Sequence, residues 1–355
     1  MTRRIPGLDG LRALSAICVA LMHLNALHQG WMGVQVFYVI SGFLITSILL
    51  DAKIHTTSIG PLLKRFYYRR SLRIFPLYFT YLLLLLAASY ISRTALDQRA
   101  LIPSLATYTY NIHRVLHSSV GSHLSSHLWS LCIEEQFYLT WPFLVFFLAK
   151  RNFRILTIAI IFVSPLLRAS LLLTSRNPPL AAYFLTPYQL DGFAAGALLS
   201  TFSRSQLSSA RKPLTLILVC AAALGLMVDR HQPFFGTVWL MSTGHNTWIW
   251  GYTLIDLCAA SLVVHCLTGS SLIPFLEWFP LRYVGRISYG FYVWHMLSLL
   301  FVARIFHNSF ASLRNPIGVL HIITFLAVNT IVASLSFRFL EQPVMRLQDR
   351  QPTHI

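Results

Sequence analysis

The spacing with most to say about chemistry joins an arginine and a histidine inside one apolar run. The run from Asp9 to His28 reads DGLRALSAICVALMHLNALH, with Arg12 and His23 eleven positions apart. At about 100° per residue, eleven steps return to within roughly 20° of the start, so on a helix both side chains share one face. At roughly 1.5 Å per residue they lie about 16 Å apart along the axis, and half a hydrocarbon core is about 15 Å. A membrane helix over 8–28 therefore sets Arg12 near one surface and His23 near the middle. An ionisable group at that depth is costly and by default lines a functional polar cavity. The alternative is a histidine hydrogen-bonded between helices. In the first case a neutral imidazole can take the proton of an attacking hydroxyl, or act as the nucleophile itself.

Other stretches offer partners. HLWSLCIEEQFYLTWPFLV, from His127 to Val145, opens an apolar run yet carries Glu134 and Glu135 together. On a helix Ser130, Glu134 and Tyr138 fall at i,i+4 spacing on one face. Paired carboxylates near apolar surroundings need a cationic partner, for which Arg12, His23 and the arginines at 69–73 are available; a purely structural ion pair is the alternative. KRFYYRRSLRIFPLYF, from Lys64 to Phe79, carries more charge than an ordinary cytoplasmic loop. Arg70 and Arg73 stand one helical turn apart and Arg69 and Arg73 at i,i+4, so their forks suit phosphate oxygens. Anionic lipid headgroups compete for that reading. Asp191 in YQLDGFAAGALLS precedes a small-residue face at Gly192, Ala195 and Gly196. His295 lies in YVGRISYGFYVWHM, and Glu341 and Pro343 end the run in SFRFLEQPVMR. For these last two stretches helix packing or interfacial anchoring competes with a substrate contact. Ser41-Gly42, in GVQVFYVISGFLIT, predicts a close helix contact.

The elements that position these groups follow from composition. The chain has 355 residues, 55% hydrophobic and only 11% charged, against about 25% charged in soluble domains. With a mean hydropathy of +0.61, this predicts an all-α polytopic membrane bundle. About ten apolar segments are visible, near 8–28, 34–51, 74–92, 128–149, 155–174, 183–202, 213–229, 248–269, 287–306 and 317–339. Ten spans put both termini on one side. Most of the 28 Lys and Arg residues fall on that side, so the termini are expected in the cytoplasm. The net charge of +17 then reports topology, not nucleic-acid binding. Asp9 and Arg12 interrupt the first run, which argues against a cleaved signal peptide. The five cysteines lie in apolar runs and are odd in number, so they read as core residues. Many histidines, among them His28, His113, His117, His123, His127, His231, His245 and His307, fall in expected external loops. Four of them lie between 113 and 127, at a spacing unconvincing for a metal, and no metal site is expected. No repeat or long hydrophilic stretch is present, so one membrane domain over 1–355 is expected.

Taken together these stretches resemble the acyltransferase-3 family, integral-membrane proteins that acylate sugars and other hydroxyl acceptors. RIPGLDGLRALSAICVALMH matches its Arg/Lys-x10-His signature at Arg12 and His23. GVQVFYVISGFLIT matches a second landmark, with Gln35 where an aspartate is common. RRSLRIFPLY, HLWSLCIEEQFY, LDGFAAG, GRISYGFYVWH and SFRFLEQP follow in the family's order. The resemblance implies a cytoplasmic acyl-CoA donor, acetyl-CoA first among them, used as a co-substrate with no permanently bound cofactor. It also implies an acceptor on the far side, a glycan or lipid-linked saccharide of the cell envelope such as lipopolysaccharide O-antigen, exopolysaccharide or peptidoglycan. It makes the residue matching His23 catalytic and the segment matching Arg69, Arg70 and Arg73 a donor contact. The fused external hydrolase-like domain of many relatives is not expected in this chain. On this reading Glu134 or Glu135 orients His23 or holds a charge partner. Arg12 binds the CoA phosphates or the thioester oxygen, and Ser130, Tyr138, Asp191 and His295 are further candidate substrate contacts. Two rival classes remain: a proton-coupled transporter using His23, Glu134 and Asp191 as a relay, and a non-catalytic envelope scaffold.

Overall fold

The computed structural model describes residues 5–56, 58–91, 98–117, 124–229, 246–270, 273–306 and 316–347. Those residues form helices and turns, with no strand among them. In chain order the elements are α1 (Pro6–His23), α2 (Met32–His55), α3 (Ile59–Ile91), α4 (Ile102–Ala106), α5 (Tyr110–His117), α6 (Trp129–Phe147), α7 (Lys150–Thr174) and α8 (Pro178–Phe184). They continue with α9 (Leu190–Leu199), α10 (Arg204–Asp229), α11 (Trp248–Thr268), α12 (Ile273–Leu276), α13 (Phe279–Arg286), α14 (Ser288–Ile305), α15 (Pro316–Ser336) and α16 (Gln342–Met345). A π-helical turn, Phe337–Glu341, joins the last two.

Five helical stretches among the described residues are long and apolar enough to cross a membrane: His28–His55, Ile59–Tyr90, Lys150–Thr174, Trp248–Thr268 and Pro316–Met345. The chain is thus a multi-pass membrane protein. Other expected segments, such as those at α6, α10 and α14, are helical where the apolar runs placed them.

Three boundaries differ from the sequence reading. The first helix ends at His23, five residues before the end of its apolar run. Asn25 takes a left-handed φ of 60°, which asparagine tolerates and which turns the chain out of the helix. His23 is therefore the last residue of a helix, not a mid-helix residue. The third helix starts at Ile59, so the basic stretch ahead of Arg69, placed before the expected helix near 74–92, is helical as well. Arginine and leucine are good helix formers, and charge alone does not break a helix. The segment near 183–202 is split, because Pro187 cannot continue α8 and the chain passes through a 3₁₀ turn, Thr186–Tyr188, before α9.

The chain divides into two compact units. The first comprises residues 1–22, 27–50 and 143–285. Its core joins Leu8, Leu11, Val39, Ile40 and Phe43 to Ala194, Ala195, Ala259, Val263 and Val264. Among the glycines required by close backbone approach are Gly42 and Gly196. A Cβ on Gly42 would strike the Phe193 carbonyl, and one on Gly196 the Val39 carbonyl. Gly42 and Gly196, both in small-residue stretches read from the sequence, thus let α2 and α9 cross nearly in backbone contact. Leu173, Phe162 and Leu166 of α7 are largely exposed, as side chains facing lipid are.

The second unit comprises residues 23–26, 51–142 and 286–355. Here α14 packs along α15, and α3 lies against α14 and α16. Buried tyrosines of α3 tie down the segments that follow it: Tyr78 Oη donates to the Leu105 carbonyl at 2.8 Å and Tyr81 Oη to the Leu124 carbonyl at 2.7 Å.

Candidate active site

The second unit gathers three histidines distant in sequence. The ring of His23 lies 5.0 Å from that of His295, centroid to centroid, and the His295 ring lies 4.6 Å from that of His127. His23 is half-buried, whereas His127 and His295 are fully enclosed. Each is placed by a different element. His23 ends α1, His127 sits on the 3₁₀ turn Ser126–Leu128 ahead of α6, and His295 is in α14.

Backbone carbonyls of α14 set two of the three rings. His295 Nδ1 bonds to the Tyr292 carbonyl, and His127 Nε2 to the Val293 carbonyl at 3.2 Å. A carbonyl oxygen only accepts, so each of these nitrogens carries the proton. The other nitrogens, His127 Nδ1 and His295 Nε2, are buried with no hydrogen-bond partner in the described protein. Burial, then the neighbouring His23, pushes His127 down to about 3, against a smaller opposing effect of its bond to Val293. His127 is a neutral ring at ordinary pH. Tyr81 and Trp294 meet edge to face beside the cluster. Ser130 Oγ and Tyr292 Oη lie 2.6 Å apart, and the Tyr292 hydroxyl donates to the His127 carbonyl at 3.0 Å. The sequence reading placed His23, Ser130 and His295 among candidate contacts, and the structure brings them together. His127, read as an external-loop histidine, is the member it missed. Its position just ahead of Trp129-Ser130 in an apolar run was the available signal.

A second cluster in the same unit joins α3 to α6. The Arg70 guanidinium lies over the Tyr138 ring at 5.1 Å and the Phe66 ring at 5.9 Å, and both Glu135 and Glu134 attract it. Tyr138 Oη donates to Glu134 Oε2 at 3.2 Å, the i,i+4 pairing expected from the sequence. Ser130, on the same helix, turns instead to Tyr292. Arg69 is exposed and Arg73 half-buried. Glu341, in the π turn, accepts from Ser336 Oγ at 3.1 Å and feels the charge of Arg73. A π turn often marks a functional position, and Gly290 leaves the space that the Glu341 carboxylate fills.

Asp191 lies in the first unit, locked in a wholly buried ion pair with Arg168 at 2.8 Å. Arg168 also donates to the carbonyls of Ile249 and Tyr188 and to Thr253, whose hydroxyl donates to Asp191. Arg12 is also in this unit, half-buried on α1. Arg168 was visible in the sequence as an arginine inside an apolar run. The rule that such a charge requires a partner would have paired it with a carboxylate.

Of the loop histidines, His113 and His117 of α5 meet at a tilt, with centroids 4.3 Å apart. His123, His231, His245 and His307 lie outside the described residues. No group of three His, Cys, Asp or Glu among the described residues is placed to hold a metal ion.

Comparison with known proteins fits this arrangement of landmarks. Residues 5–338 match the model of the acyltransferase-3 family, described as an acyltransferase domain. The chain is 29% identical over 365 residues to the O-acetyltransferase OatA of Staphylococcus aureus strain NCTC 8325, covering 97% of this chain and 58% of the relative. It is 29% identical over 367 residues to the peptidoglycan O-acetyltransferase OatA of Listeria monocytogenes, covering 96% and 56%. To YrhL of Bacillus subtilis strain 168 it is 30% identical over 373 residues, covering 96% and 55%. The chain thus spans a little over half the length of these relatives. No solved structure matches it. With the family model spanning nearly all of it, from before Arg12 to beyond His295, the chain belongs to the acyltransferase-3 family.

Proposed function

We propose that the protein is a membrane O-acetyltransferase that moves an acetyl group from cytoplasmic acetyl-CoA to a hydroxyl of a cell-envelope saccharide on the external face. The observation that carries this reading is the imidazole cluster. A half-exposed His23 at a helix end stands against two enclosed imidazoles, a setting suited to proton transfer from an alcohol and poorly explained by packing alone. His23 takes the proton of the acceptor hydroxyl as its oxygen attacks the thioester carbonyl. The C–S bond breaks, and the CoA thiolate leaves with the proton that His23 returns. The CoA phosphates engage the basic face of α3. There Arg70, ordered by Tyr138 and drawn by Glu134 and Glu135, presents its fork beside Arg73.

The peptidoglycan O-acetyltransferase named among the relatives favours a glycan-strand acceptor over lipopolysaccharide O-antigen. Ten spans with both termini in the cytoplasm of an inner membrane fit the distribution of Lys and Arg and give donor and acceptor separate faces.

The test uses proteoliposomes holding the full chain. Acetyl-CoA is supplied on one side and peptidoglycan disaccharide or a methyl hexopyranoside on the other. The expected result is CoA release that depends on the alcohol. Saccharide flux with an intact thioester would replace this reading with a transporter.

A further inference from the structure

His127 and His295 offer two bare nitrogens that the reaction above does not use. Their rings are 1% and 0% exposed, 4.6 Å apart, and the nearer one is 5.0 Å from His23. Each ring spends its single proton on a carbonyl of α14, His295 on Tyr292 and His127 on Val293. Two positive rings at that separation in an enclosed site would repel each other. As neutral rings they present lone pairs only, at His295 Nε2 and His127 Nδ1, and neither has a partner among the described residues. A buried polar atom left unpaired is costly, and nearly all such atoms in folded proteins are satisfied. The missing partners are therefore donors, and two of them. Three imidazoles invite a metal, but the rings are not placed to share one. Hydroxyl groups fit: an O–H donates to a lone pair, and adjacent hydroxyls on a sugar ring offer two donors side by side.

We propose that His127 Nδ1 and His295 Nε2 form the acceptor's binding site, receiving hydrogen bonds from two neighbouring hydroxyls of a saccharide and holding one of them against His23. The inference rests on the acetyl-transfer reading and adds to it the class of acceptor: a polyol with adjacent hydroxyls, not an isolated alcohol. Ser130 supports the site by bonding to Tyr292, whose hydroxyl in turn holds the His127 carbonyl.

The tautomers supply a selective test. In His295→Asn the amide nitrogen replaces Nδ1 and keeps the bond to Tyr292, while the ε acceptor disappears. In His127→Gln the amide nitrogen replaces Nε2 and keeps the bond to Val293, while the δ acceptor disappears. Each variant is expected to raise the acceptor KM roughly tenfold, the size of one lost hydrogen bond from a buried pair, and to leave the acetyl-CoA KM within about twofold. A methyl hexopyranoside lacking the neighbouring hydroxyl should lose the same factor with the parent protein and little more with the variant facing that hydroxyl. Binding is read separately as the saccharide-induced rise in melting temperature, expected in the parent and in His23→Ala and reduced in both tautomer-matched variants. An unchanged acceptor KM, an equal loss for donor and acceptor, or no saccharide-induced shift in the parent overturns the site. Binding that persists in a parent that never releases CoA overturns the acetyl-transfer reading and leaves the saccharide site standing.

Discussion

Removing the carboxylate of Asp191 should unfold the protein far more readily than removing His23. Arg168 is wholly buried, and its fork bonds to Asp191 through both terminal nitrogens, at 3.2 and 2.8 Å. Its remaining donors reach Ile249 O at 2.7 Å, Tyr188 O at 2.6 Å and the Thr253 hydroxyl. In Asp191→Ala those neutral acceptors stay, but the charge loses the counter-ion it has among the described residues. Breaking a buried pair on one side costs about 3–5 kcal/mol. At about 2–4 °C per kcal/mol for units of 150–250 residues, the melting temperature should fall by roughly 6–20 °C. The double variant Arg168→Met/Asp191→Leu should recover most of that loss, because two apolar side chains replace two charges and need no partner. The assay is thermal unfolding of the detergent-solubilised chain, with acetyl transfer measured on the same samples below the transition. A fall under about 1 kcal/mol in Asp191→Ala, with transfer lost, would refute the structural role and return Asp191 to the substrate contacts.

Further expectations follow from the same structure. Gly196→Ala drives a methyl into the Val39 carbonyl and should cost about 1–3 kcal/mol. Gly60→Ala meets nothing within 4 Å and should add up to about 1 kcal/mol in the same unfolding assay; the reverse order would contradict the packing described. Arg70→Ala and Arg73→Ala should raise the acetyl-CoA KM, with the effect shrinking at high salt. An unchanged donor KM would assign these arginines to lipid headgroups. His127, pushed down to about 3 by burial, favours the folded state above its ordinary value near 6.5, and that contribution is lost as pH falls toward 3. By pH 4.5 the parent should lose about 2–3 kcal/mol relative to His127→Gln, read as a smaller acid shift of the variant's melting temperature. Equal acid sensitivity would contradict the enclosed, neutral ring.

The fold was legible wherever burial and periodicity agreed. Apolar runs near 128–149, 248–269 and 287–306 are helices at nearly those limits, and Ser41-Gly42 marked a close helix contact, which Gly42 makes with the Phe193 carbonyl. The start of α3 as early as Ile59 was not legible, because hydropathy falls across the basic stretch although every residue there tolerates a helix. The end of α1 depended on one left-handed asparagine inside an otherwise apolar run. The site was legible in part: the i,i+4 pairing of Glu134 with Tyr138 follows from spacing alone. The meeting of His23, His127 and His295 does not, since it joins three elements far apart in the chain, and no single-sequence period encodes it. Arg168 and Asp191 illustrate the same gap. Each is unusual in an apolar run, but only the fold shows that they satisfy each other.

The central claim is that the imidazole at the end of α1 takes the acceptor's proton. The most direct measurement is acetylated product formed from acetyl-CoA by His23→Ala reconstituted beside the parent, at matched melting temperature and matched donor binding. The account predicts a loss on the order of 10²–10⁴-fold. Transfer at the parent's rate would contradict it.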